Sequence, residues 1–136
     1  MKHLTIAEFL LARITEDEEL ARKAAQAKPR DYDSKAPGAA WEATDNGMVA
    51  GNKEALWDCE GSASLCMNPV HAQHVAAWDP ARVLAECAGK RAVISACLEI
   101  PYGADENADY LRDMAMAAFA TVYKSHPDYL PEWAWT

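Results

Sequence analysis

HVAAWDPARVLAECAGKRAVISACL, His74 to Leu98, is the stretch that decides the fold. Asp79 followed by Pro80 is a helix start. The carboxylate can accept from the free N–H groups of the first turn, and proline at the first helical position gives up no hydrogen bond. Behind it Val83, Leu84, Cys87, Ala88, Ile94 and Leu98 recur at helical spacing, which predicts a core helix over 80–98. Arg82, Glu86, Lys90 and Arg91 fall mainly on the other side.

Working outward, Pro69 to Ala77 predicts a short helix (70–77) that leads into the turn at Trp78-Asp79. Upstream, 41–67 changes character. Asp45-Asn46-Gly47 sits between Trp41–Thr44 and Met48–Ala50, and Asn-Gly supplies the positive φ angles of a tight hairpin turn. Ala55–Cys59 and Ser64–Met67 read as further short strands. Together they predict a small antiparallel sheet of two or three strands, anchored by Trp41 and Trp57. Such a sheet is marginal alone and has to pack on helices.

Residues 28–40, KPRDYDSKAPGAA, read as a loop from their Pro, Gly, Asp and Ser content. Before it, Thr5 and Glu8 form a capping box. Ile6, Phe9, Leu10, Ile14, Leu20, Ala21 and Ala24 then carry a helix over 5–27 that stops before Pro29. Glu16 to Glu19 is an acidic run, read as a solvated face with Arg13, Arg22 and Lys23 within reach.

Downstream, Ile100-Pro101-Tyr102-Gly103 breaks the chain. A last helix over 105–124 follows, with Tyr110, Leu111, Met114, Ala117, Ala118 and Val122 as its apolar stripe. Residues 125–136 form an aromatic tail expected to dock on the first or the core helix. The expectation is one domain over 1–136. Its fold class is α+β and mostly helical: three long helices with a small antiparallel sheet and a C-terminal aromatic tail.

The net charge is −8. A nucleic-acid binder needs a basic stripe, and none is visible, so no nucleic-acid partner is expected. No apolar run reaches the roughly 20 residues that cross a bilayer, so no membrane span is expected. The start, MKHLTIAEFLLARITEDEE, turns acidic at once and shows no small-residue cleavage site, so it does not read as a signal peptide. Cys87 and Cys97 lie ten residues apart on one helix, or about 15 Å along its axis. That is too far for a disulfide, and the expectation is reduced thiols in a cytoplasm.

Of the residues that carry chemistry, Cys59, Cys66, His71 and His74 offer the sulfur and imidazole donors of a structural zinc site. The six residues between the cysteines exceed the usual spacing, so no metal and no cofactor is expected. There is no nucleophile elbow, no protease signature and no glycine-rich phosphate loop. Asp105, Glu106 and Asp109 read as partners of a helix N-terminus.

Three stretches, EFLLARITEDE, HVAAWDPARVLAECAGKR and HPDYLPEW, together resemble a family of small actinobacterial and actinobacteriophage proteins known only as a domain of unknown function. The positions that carry the resemblance are Glu8, Phe9, Leu10, Glu16, Asp17 and Glu18; His74, Asp79, Pro80, Arg82, Leu84, Lys90 and Arg91; and His126, Pro127, Asp128, Tyr129, Glu132 and Trp133. Members often have a second histidine just before the Asp-Pro, where this chain has Trp78. The resemblance brings no activity. It implies a cytoplasmic protein of a bacterium or of a phage-infected one.

Two functions follow as expectations. The first is a non-enzymatic interaction module acting on a cellular or host protein through Tyr129, Glu132, Trp133 and Trp135, with His74, Asp79, Arg82 and His126 in structural roles. The second is a small metal-dependent or hydrolytic enzyme using His74, His126 and nearby acids.

Overall fold

The structure, a computed structural model, describes residues 4–29, 35–57 and 67–134. Along these run α1 (Ile6–Gln26), β1 (Glu42–Ala43), β2 (Val49–Gly51), β3 (Glu54–Trp57), α2 (Pro69–Ala77), α3 (Pro80–Glu99) and α4 (Glu106–Thr121), then a 3-10 turn at Pro131–Trp133. The fold is α+β and mostly helical, with three long helices and a three-stranded antiparallel sheet in the order β1-β2-β3. By contacts the chain sorts into two compact units, Met1–Glu16 with Cys87–Thr136, and Asp17–Glu86. Residues of α1 and of α3 belong to both.

In the unit formed by Asp17–Glu86, two hairpin turns of different chemistry set the sheet. The first closes at Gly47 (φ 86°), with Thr44 N–H donating to Met48 O at 2.9 Å. Only Gly47 takes the positive φ that the sequence reading gave to both Asn46 and Gly47. Asn46 instead bonds through its side chain to the Thr44 hydroxyl. The second turn is Asn52-Lys53, with φ 49° and 63° and Gly51 opposite Glu54. Two left-handed residues in a two-residue loop match the right-handed twist of the strands. Nothing in Gly51-Asn52-Lys53-Glu54 had marked a turn, because lysine is an uncommon occupant of that backbone region. Asp58, Cys59 and the strand expected over 64–66 lie outside the described residues.

Val49 is the buried side chain of β2, and α2 packs on β1 and β2. Gly51 is buried too. A Cβ there would run into the Pro37 carbonyl and come within 2.8 Å of the Trp41 ring. The 35–40 segment therefore lies close against the strand.

Asp79 ties this unit together. Its Oδ1 accepts from Arg82 N–H at 2.9 Å, which caps α3. Its Oδ2 accepts from Trp41 N–H at 3.0 Å, 38 residues away in sequence. Ala81 N–H adds a bond to Ala39 O at 2.9 Å. One carboxylate thus starts a helix and holds the approach to β1.

In the other unit, Phe9, Leu10 and Ile14 of α1, Cys87, Ile94 and Cys97 of α3, and Met116 and Ala120 of α4 are buried. The capping box at Thr5 and Glu8 is closed in both directions, at 2.8 and 3.1 Å. Two apolar stripes are rotated from their expected positions. On α4 the buried line is Arg112, Met116 and Ala120, whereas Tyr110, Leu111 and Val122 are each more than 60% exposed. On α3, Ala88 and Leu98 face out and Cys97 faces in. Both helices are rich in alanine, which fits either side of a helix. The few larger residues therefore did not determine the inward face.

Asp79→Ala is expected to lower stability by about 2–3 kcal/mol, more than the ~1 kcal/mol of an N-cap alone, because two N–H groups lose a charged acceptor. Asp79→Ser, which restores only the cap, is expected to recover about 1 kcal/mol of this. Urea denaturation of the three proteins checks both values.

Candidate functional site

The densest constellation surrounds Phe9, whose side chain is fully buried. Tyr123, His126, Tyr129 and Trp133 stand around its ring with centroids at 6.3, 5.7, 6.2 and 5.0 Å, three of them edge-on. Tyr129 and Trp133 also meet each other edge-on at 5.9 Å. The turns that put them there are local. His126 N–H bonds to Tyr123 O, Tyr129 N–H to His126 O, and Trp133 N–H to Leu130 O, at 2.9–3.0 Å. Tyr129 and Trp133 are therefore half-buried against α1. Glu132 is exposed, and Trp135 lies outside the described residues.

Arg13, one turn beyond Phe9, is only 8% exposed, and its guanidinium carbon lies 5.2 Å from the Phe9 ring centre. Nη2 donates to Glu16 Oε1 at 2.8 Å, Nη1 reaches His126 Nδ1 at 2.8 Å, and Asp128 Oδ2 stands 3.6 Å away. Sequence reasoning had placed Arg13 among the cations offsetting the acidic run. The missed signal was that position 13 lies on the same helical face as Phe9, Leu10 and Ile14. A cation within an apolar stripe marks a buried charge that needs partners.

The partners fix the chemistry of His126. A guanidinium can only donate, so Nδ1 accepts. The Asp128 backbone N–H points at the same atom at 3.1 Å. The ring proton is therefore on Nε2, and the imidazole offers no free basic nitrogen in this geometry.

His74 belongs to the other unit. It is exposed on α2, with its ring 6.3 Å from that of Trp78. His71 is exposed on the same helix, while Cys59 and Cys66 lie outside the described residues. Among the described residues no three His, Cys, Asp or Glu side chains are grouped so as to hold a metal ion.

α2 itself is unusual for a surface helix. Asn68 caps it by accepting from Val70 N–H at 2.9 Å, and Pro69 opens its first turn. PVHAQHVAA contains no Asp, Glu, Lys or Arg, and Ala72 is its one buried residue. Val70 is 67% exposed, Val75 37%, and Trp78, just past the helix end, 45%. Helical spacing puts Val70, His71, His74, Ala77 and Trp78 on the face opposite Ala72. Arg82, bonded to Glu86 at 3.1 Å, lays its guanidinium 4.1 Å over the Trp78 ring.

A third cluster closes the turn between α3 and α4. Arg112, 6% exposed, donates to Ile100 O at 2.9 Å and to Asp109 at 2.7 Å, and stacks 3.5 Å from the Tyr102 ring centre. Asp109 also accepts from Gly103 N–H, and the Tyr102 hydroxyl donates to Asp113 at 2.5 Å. That bond to Asp113 raises the pKa of Tyr102 above the ordinary tyrosine value, with Arg112 pulling the other way.

A family of unknown function (DUF6221) matches residues 3–135, and the chain belongs to that family. No curated protein and no solved structure matches it.

Two outcomes are expected from these clusters. Phe9→Ala, which empties the centre of the aromatic cluster, is expected to cost about 3–5 kcal/mol in urea denaturation. Tyr102 titrates late because its neutral hydroxyl is held, so its contribution to stability is present below the ordinary tyrosine pKa and disappears as pH rises through the folded value. Asp113→Asn is expected to move the Tyr102 titration back toward the ordinary range. Absorbance titration against a Tyr102→Phe reference detects the shift.

Proposed function

We propose that this DUF6221 member is a non-enzymatic interaction module that docks a partner protein on the exposed face of α2. The observation that carries the reading is that a helix without a charged residue presents Val70, His74 and, with Trp78, a large aromatic side chain to solvent. A helix with no charged residue is normally enclosed by other structure. Contiguous apolar surface on a small protein is most often an interaction site. Tryptophan and arginine, here stacked as Trp78 and Arg82, are the side chains that most often dominate interface energies.

The tail has a different role in this reading. Tyr129 and Trp133 enclose Phe9, so they build the body of their unit, and α2 takes over the recognition role assigned to them from sequence. The resemblance in the sequence motifs supports a bacterial cytoplasmic setting, a phage-encoded origin and a host protein as partner.

A photo-crosslinking residue at position 70, with one at the exposed Glu19 as control, tests the proposal in cell lysate. Position 70 is expected to give a discrete adduct that excess unlabelled protein competes away and that Trp78→Ser abolishes. Trp78→Ser also removes the stack with Arg82 and is expected to cost about 0.5–1 kcal/mol, leaving the fold intact. Equal adducts from both positions, or an adduct indifferent to Trp78→Ser, would overturn the reading.

A further inference from the structure

We propose that α4 is the contact face of a weak homodimer, in which its outer stripe lies antiparallel on the same stripe of a second copy. α4 is apolar on two sides. Met116 and Ala120 face the core beside Arg112. Tyr110, Leu111, Met114, Ala117, Ala118 and Val122 fall together on the other side at helical spacing. Tyr110, Leu111 and Val122 stand largely in solvent. No charged residue occurs from Met114 to Tyr123.

The occupant that fits this stripe is the same stripe. The chain carries a net charge of −8, so two copies repel in most orientations. An uncharged face is where that repulsion is least. The stripe is also self-complementary. A two-fold axis level with Met116 sets Tyr110 opposite Val122 and Met114 opposite Ala118, a larger side chain against a smaller one each time. Alanine near the axis lets the two helices approach closely.

The charges at the ends of the stripe select the direction. Glu106 is exposed in the first turn of α4. Lys124 is exposed just past the last turn, with its N–H bonded to Thr121 O at 3.2 Å. Helical spacing puts both on the edge of the stripe beside Ala117. A two-fold rotation brings like edges together with the helices running in opposite directions. Lys124 of one copy then lies about 3 Å along the axis from Glu106 of the other, and the pair forms twice. A parallel pairing would instead set Glu106 on Glu106 and Lys124 on Lys124. One helix per copy makes a contact at the small end of protein interfaces, so the dimer is weak and depends on concentration.

Sedimentation velocity of the full-length protein, from low to high micromolar concentration, tests the proposal. A reversible monomer–dimer equilibrium is expected. Leu111→Asp is expected to weaken it at least about tenfold, with an unchanged circular-dichroism spectrum. Glu106→Lys and Lys124→Glu are each expected to weaken it about threefold, and the two together to restore it. This rescue distinguishes the antiparallel dimer from unspecific association. A monomer at every concentration, a dimer indifferent to Leu111→Asp, or a double reversal no better than the single ones would each overturn the proposal. A dimer dispersed by Trp78→Ser and not by Leu111→Asp would also overturn it.

Discussion

A charge removed from water has to bring its partners with it. In this chain that requirement shapes the irregular segments more than strand or helix propensity does. Arg13 is buried on α1, and the partners it takes are Glu16, His126 and Asp128, two of them more than 110 positions along the chain. Arg112 is buried on α4 and draws in the Ile100 carbonyl, Asp109 and the Tyr102 ring, which fixes the turn between two helices. Asp79 is the converse case, a carboxylate that collects N–H groups from Trp41 and Arg82. In each case the charged group is on or beside a helix and the segment it captures has little regular structure of its own.

The same requirement explains what was legible from the sequence. Local signals read correctly because their partners are a few residues away. The Thr5 and Glu8 capping box closes across three positions, Asp79-Pro80 starts α3, and Gly47 closes the first hairpin. Long-range signals were not legible. That Arg13 meets His126, or that the second oxygen of Asp79 reaches Trp41, depends on which segments the fold brings together, and no spacing rule encodes it. The inward face of α4 was misplaced for a related reason. A long alanine-containing helix has several acceptable faces, and a buried arginine chose among them. The Asn52-Lys53 turn escaped notice because backbone strain at lysine leaves no mark in composition.

The proposed docking face illustrates a different limit. Sequence reading placed the short helix at 70–77 and noted Trp78, but regarded its apolar residues as a lead-in to the core helix. Only burial separates an apolar helix that is enclosed from one that is not. Ala72 faces the sheet, and most of the remaining residues face outward. At the rim of that face Trp78 is stacked under Arg82.

The order of the chain within its two units also bears on synthesis. One unit is assembled from both ends of the sequence, Met1–Glu16 and Cys87–Thr136, while the other is a continuous stretch between them. As the polypeptide leaves the ribosome, Asp17–Glu86 has all its residues in hand well before its neighbour does. Phe9, Leu10 and Ile14 emerge first, yet Tyr123, Tyr129 and Trp133 come last. During that interval the opening amphipathic helix carries an uncovered apolar stripe, the kind of surface that chaperones hold and that aggregates form around. Its acidic run, Glu16 to Glu19, lies one turn beyond that stripe.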